Sequence, residues 1–172
     1  MLFIFQVLCN LKLLKVFFLV ESVKIIPYTS QHQPEFERLN RTWIEKYFNM
    51  EPLDEQILKS PNKYIIDTGG FILFAELNGK IVGTVALKKI TSDCYEFTKM
   101  GVDFNFLRRG IAEKLSKKAI AVAREKGGKK LILFTNSALT PAISLYEKVG
   151  FEHVALVDTD YLRADVKMVL NL

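Results

Sequence analysis

At 172 residues, with 49% apolar and 25% charged side chains, the chain has the size of one domain whose core can hold a ligand cleft, and its composition excludes a disordered chain and a coiled coil. The formal net charge of +5 suits an anionic ligand, but the basic residues are dispersed, with only short doublets such as Lys117-Lys118 and Lys129-Lys130, so no nucleic-acid partner is expected. Cys9 and Cys94 lack CxxC or metal-ligand spacing and read as reduced thiols of a cytoplasmic protein, with no metal site and no disulfide framework. Residues 1–20 are mostly Leu, Phe, Val and Ile, interrupted by Gln6, Asn10, Lys12 and Lys15. They lack a basic start and a small-residue cleavage site, and the lysines fall mid-run, so they read as an apolar N-terminal extension, with no membrane partner expected. Its role stays open between an extra packed element and a segment outside the working domain.

The domain spans residues 21–172. A strand-like run from Val23 to Tyr28 leads into a helix with Pro34 in its first turn and apolar residues at Phe36, Leu39, Trp43 and Tyr47. A second short helix is expected over Glu51 to Leu58, and Ser60-Pro61-Asn62-Lys63 reads as a linker. Two β-rich runs, Phe71 to Leu77 and Lys80 to Ile90, flank Asn78-Gly79, the dipeptide most favoured in tight hairpins; Cys94 to Val102 adds a third strand to the meander. Helix and strand then alternate: a helix from Gly110 to Lys126 with Ile111, Leu115, Ala119 and Val122 on one face, a strand Lys130 to Thr135, a helix Pro141 to Val149 capped by Thr140, and strands Phe151 to Val157 and Asp165 to Leu170. The class is mixed α/β.

The chemistry concentrates where the third meander strand ends and the long helix begins. Backbone N–H groups at a helix start lack internal partners and meet the positive end of the dipole, worth about 0.3–2 kcal/mol toward an anion. Gly110 lets a phosphate approach, and Arg108 and Arg109 add donors; the alternative is a tight turn with solvated arginines. Other chemistries find no support. His32 and His153 are far apart with no nucleophile at useful spacing, and neither a GxGxxG nor a GxxxxGK[ST] motif is present.

Leu107-Arg108-Arg109-Gly110-Ile111-Ala112 resembles the acetyl-CoA motif of GNAT superfamily N-acetyltransferases, Gln or Arg, two variable residues, Gly, one variable residue, then Gly or Ala, and departs from it at Leu107. Asn136, Ala142, the run Leu145-Tyr146-Glu147-Lys148 and Gly150-Phe151 resemble the family's second signature, and Glu96 to Val102 resembles its fourth strand. The resemblance runs from Val23 to Leu172. It implies a central mixed sheet of six to seven strands, splayed between the fourth and fifth, with about four flanking helices. It implies acetyl-CoA as cosubstrate, its pantetheine beside Met100, Gly101 and Val102, its pyrophosphate on Leu107, Arg108, Arg109, Gly110, Ile111, Ala112 and Glu113, and Asn136 bridging the splayed strands or the CoA. Tyr146 matches the family's general acid; Glu96 is the candidate general base, with a pairing to Lys99 as its alternative. Tyr161, Arg163 and Asp165 are candidates for the acceptor site or for a solvated loop. The expected activity is acetyl transfer to a primary amine of a small molecule or peptide, the rivals being a non-catalytic acyl-CoA-binding or sensing module and a membrane-attached protein worked by residues 1–20. A homodimer is possible in this family.

Overall fold

The computed structural model describes residues 22–157 and 159–172, so the apolar extension over residues 1–20 lies outside the described residues. Seven strands form one sheet in the order β1-β2-β3-β4-β5-β7-β6: β1 (Lys24–Pro27), β2 (Phe71–Leu77), β3 (Lys80–Lys89), β4 (Cys94–Val102), β5 (Lys130–Thr135), β6 (Glu152–Val154) and β7 (Val166–Asn171). The helices are α1 (Gln33–Tyr47), α2 (Pro52–Lys59), α3 (Ile111–Glu125) and α4 (Thr140–Lys148). Among the described residues only β4 and β5 pair in parallel; every other neighbouring pair is antiparallel.

The sheet is covered on both faces, which is why β2 reads as an apolar run from Phe71 to Ala75 without alternation. Phe71, Leu73 and Ala75 pack with Ile111, Leu115 and Ala119 of α3, whereas Ile72 and Phe74 pack with Phe36 and Leu39 of α1 and Ile57 of α2. The period of two along β2 thus serves two cores, and each fully buried Phe or Leu contributes about 1.5–3 kcal/mol of transfer free energy. The hairpin turn has Asn78 at φ 51° and Gly79 at φ 76°, the pair of left-handed residues that matches the twist of two antiparallel strands.

Several boundaries differ from expectation. Ser60 to Lys63 is not a linker: a π-helical turn over Asn62–Ile66, closed by Asp67 N–H to Asn62 O at 2.8 Å, buries Ile65 completely. Its Pro and polar residues concealed the buried Ile. Thr140 is not the cap of α4 but its first residue. Leu139 takes the cap position because Asn136 forms a preceding turn, accepting Ala138 N–H on its side chain and Leu139 N–H on its carbonyl. The strand expected over Phe151 to Val157 ends at Val154, its paired length against β7.

β4 carries a bulge. Ala86 pairs with Thr98 and Thr84 with Gly101, so Lys99 and Met100 together face Val85, and Lys99 takes φ 51°. Before the bulge, Tyr95 and Phe97 face α3 and α4; after it, Val102 does. Gly101 lies under α1, where a Cβ would stand 3.2 Å from Trp43 Cδ1 and 3.3 Å from Leu39 O.

Candidate active site

β4 and β5 pair only through Cys94↔Lys130, Tyr95↔Leu131 and Glu96↔Ile132. Beyond Glu96 they part. β5 continues along β7 to Thr135↔Val166, and β4 continues along β3 to Val102. The facing edges of the two strands are left without a strand partner, and α4 lies under the gap with Ala142, Leu145 and Tyr146. A cleft of about 590 Å³ results, within the range that holds a small-molecule ligand.

The cleft brings together most of the expected residues. Met100, Gly101, Val102, Leu107, Arg108 and Ala112 line one wall, and Asn136 and Tyr146 line the other. A second lobe of about 340 Å³ shares Val102, Leu107, Arg108 and Ala112 with it and adds Gly110, Ile111 and Glu113. This lobe sits on the start of α3. The first bond inside that helix runs from Lys114 N–H to Gly110 O, so the N–H groups of Ile111, Ala112 and Glu113 have no partner within the helix. Gly110 is needed there for its φ of 72°, since a Cβ at this position would meet nothing within 4 Å. Arg108 also adopts a positive φ, 59°, in the turn that precedes it. Glu113 pairs with Lys117 at 2.7 Å and Lys148 at 2.6 Å; these partners hold its pKa down to about 2 and tie α3 to α4 across the lobe.

Two of the residues expected to hold the cosubstrate or to act in catalysis lie elsewhere. Arg109 borders neither lobe, and its guanidinium stacks 5.1 Å from the Phe106 ring centroid. Glu96 is 5% exposed and also absent from the lining; strand alternation puts it on the face of β4 opposite Phe97. Asn136 uses its side chain on backbone: Nδ2 donates to Arg163 O at 2.6 Å, and Oδ1 accepts Ala138 N–H at 2.9 Å. It therefore bridges the end of β5 to the segment before β7, not β5 to β4.

Tyr146 is 9% exposed, edge-on to Phe97 at 5.8 Å and to Phe151 at 6.0 Å. Burial disfavours its phenolate and pushes its pKa up to about 12. The hydroxyl is accordingly a proton carrier throughout the neutral range.

At the opposite end of the cleft stand Tyr161 and Arg163, two of the three acceptor-site candidates, with residues the sequence did not single out for it. Trp43 and Tyr47 turn toward the cleft instead of the core, stacked at 5.4 Å, and Trp43 Nε1 donates to Val102 O at 2.7 Å. Lys99, Tyr161 and Arg163 line the same end. Behind them Asp54, with no exposed side-chain surface, accepts from Lys99 Nζ at 2.9 Å and from Arg163 Nη1 and Nη2 at 2.6 and 3.1 Å. Burial favours a neutral Asp54, but the bonds from Arg163 and the charge of Lys99 outweigh it, so its pKa lies below the usual carboxylate value. Burial likewise disfavours the Lys99 ammonium, yet Tyr161 and Asp54 leave its pKa raised. Glu51, at the N-terminus of α2, accepts the backbone N–H groups of Leu162 and Arg163 and so pins this segment. Asp165 lies outside the cleft, its carboxylate bound to Ser137 N–H and Oγ at 2.7 and 2.6 Å. Among the described residues, no group of His, Cys, Asp or Glu could hold a metal ion, and no helix is long and apolar enough to cross a membrane.

The family model of the acetyltransferase (GNAT) family matches residues 33–151, more than half of the chain. The chain belongs to the GNAT family. Among curated GNAT relatives, the uncharacterized N-acetyltransferase YjgM of Escherichia coli is 37% identical over 56% of this chain and 61% of its own. N-acetylaspartate synthetase of Xenopus tropicalis is 32% identical over 64% of this chain and 38% of its own. The chain thus spans less than two thirds of the length of either relative. A Bacillus subtilis acetyltransferase, solved in complex with CoA, has the same fold, with a TM-score of 0.68 at 19% identity over 88% of this chain and 99% of that one. The parted β4 and β5 are the GNAT splay.

Proposed function

We infer that this GNAT protein transfers an acetyl group from acetyl-CoA to a primary amine of a small molecule or peptide, by direct attack and without a covalent enzyme intermediate, in the cytoplasm. One observation carries this reading: the gap between β4 and β5 leads from Tyr146 into a lobe built on unpaired N–H groups of α3. A pantetheine arm laid in that gap pairs with the open edge of β4 at Met100 to Val102, and a pyrophosphate fits the lobe at Gly110 to Glu113 beside Arg108. The relative named N-acetylaspartate synthetase and the neighbour solved with CoA support an amine acceptor and this cosubstrate.

The chain's residues divide the work. Attack by a neutral amine forms the C–N bond and breaks the C–S bond; nitrogen sheds one proton and sulfur gains one. Tyr146 donates that proton to the leaving sulfur, since burial keeps its hydroxyl protonated to about pH 12. A backbone N–H near Val102 polarises the thioester carbonyl. Glu96, outside the cleft lining, takes up the amine proton only through intervening water. Lys99 and Arg163 at the acceptor end disfavour a further positive charge and so help the amine arrive neutral.

Calorimetric titration with acetyl-CoA followed by an assay of CoA release tests the reading. Saturable one-to-one binding is expected, and Tyr146→Phe should lower kcat about a hundredfold with acetyl-CoA affinity within about twofold. The rate should rise with pH as the amine deprotonates, with no falling limb up to about pH 10, below the Tyr146 pKa. Failure of folded protein to bind acetyl-CoA overturns the assignment. Binding without CoA release for any amine would leave an acyl-CoA-binding module.

A further inference from the structure

The charged groups that line the main cleft are all cations. Lys99, Arg108 and Arg163 are there, and among the described residues no Asp or Glu is. Arg108 borders both lobes and belongs to the phosphate end. Lys99 and Arg163 stand at the other end, where an acceptor must enter. Their counter-charges are set behind them: Asp54 is fully buried, Glu51 holds backbone at the start of α2, and Glu96, near enough to act electrostatically on Tyr161, is buried within β4.

The two cations also retain donors. Lys99 donates to Asp54 and to the Tyr161 hydroxyl at 3.3 Å, which leaves an N–H of its ammonium. Arg163 meets Asp54 through both terminal nitrogens and Glu51 through one, which leaves part of its planar fork. Both side chains are held in place, Lys99 by the backbone turn of the bulge and Arg163 by its two-point contact with Asp54. A rigid pair of cations with spare donors, in a wall without carboxylates, complements a carboxylate.

We propose that Lys99 and Arg163 form a carboxylate subsite, so that the acceptor is an amino acid whose amine is presented to the thioester while its carboxylate lies between these two side chains. The proposal rests on the acetyltransferase reading above. The Tyr161 hydroxyl borders the same subsite, and Asp54 acts as a positioning residue that orients both cations without touching the substrate.

The test compares matched acceptors that differ only in the α-carboxylate: L-alanine with L-alaninamide, L-aspartate with its α-amide L-isoasparagine, and L-glutamate with its α-amide L-isoglutamine. Acetyl-CoA binding and CoA release with a broad set of primary amines are measured first, so that loss of the transferase reading is seen separately. With binding present, at least one α-carboxylate amine should be acetylated, and alanine should exceed alaninamide in kcat/KM by about tenfold to a hundredfold, the worth of charge-assisted hydrogen bonds in a desolvated site. Arg163→Gln should erase most of that ratio by raising KM for alanine while changing the amide little; a purely structural role would lower both alike. Equal use of acid and amide by the wild type overturns the proposal, as does acetyl-CoA binding with no member of the panel acetylated. Because the wild-type ratio decides alone, a poorly folding variant does not leave the question open.

Discussion

At the α3 end of the cleft, the lining offers main-chain N–H groups of one contiguous stretch, Ile111 to Glu113, beside the Arg108 side chain. At the end proposed for the acceptor it offers side chains at positions 99, 161 and 163, oriented by carboxylates at 51 and 54. The first end needs only a helix start and a glycine able to take φ 72°, so any side chains that permit the turn will build it. The second needs a buried ion-pair network, whose members were each costly to remove from water and hold one another in place. One end is general and tolerant, the other selective and brittle.

Asp54→Ala breaks this contrast hardest. It leaves Lys99 buried without a carboxylate and should lower unfolding free energy by about 3–5 kcal/mol in urea denaturation. The same network sets an acid limit. Asp54 has a folded pKa below its unfolded value, so its contribution is present above about pH 4 and is lost as pH falls through the folded pKa. Midpoints followed between pH 7 and pH 3 should show the wild type losing stability where Asp54→Asn loses less. Gly110→Ala acts at the tolerant end and should cost only about 1–2 kcal/mol, the penalty of a left-handed alanine, because its methyl group meets nothing within 4 Å. A loss as large as that at Asp54 would mean the helix start is as tightly packed as the acceptor end. Smallest is the difference between the two arginines: Arg108→Ala should weaken acetyl-CoA binding about fivefold, and Arg109→Ala by less than about twofold, as read by titration. Equal losses would show that Arg109 leaves Phe106 when the cosubstrate binds.

What could be read from the sequence follows the same division. Asn78-Gly79, the α3 stripe and Gly110 are local patterns, and each produced the element expected of it. The splay of β4 from β5 and the placement of Tyr146 came with the family signature at 145–151. The network of Asp54, Lys99 and Arg163 joins residues 45 and 109 positions apart, and no short pattern announces such a pairing. Trp43 and Tyr47 carry helical spacing and looked like core, yet Phe36, Leu39 and Ile44 fill the core and the two aromatics turn to the cleft. Glu96 came as the general-base candidate from the likeness of Glu96 to Val102 to the family's fourth strand, and it stands outside the cleft lining.

That bulge makes β4 a strand with two reading frames. Glu96 faces away from α3 and α4 in the first frame and Gly101 does so in the second, which is why an even-numbered and an odd-numbered residue share a face. Deleting Lys99 or Met100 would restore one-to-one pairing and leave Gly101 opposite Thr84 beneath Trp43, where even a bare Cβ stands 3.2 Å from the indole. The extra residue therefore costs the sheet no register; what it supplies is the left-handed turn at position 99.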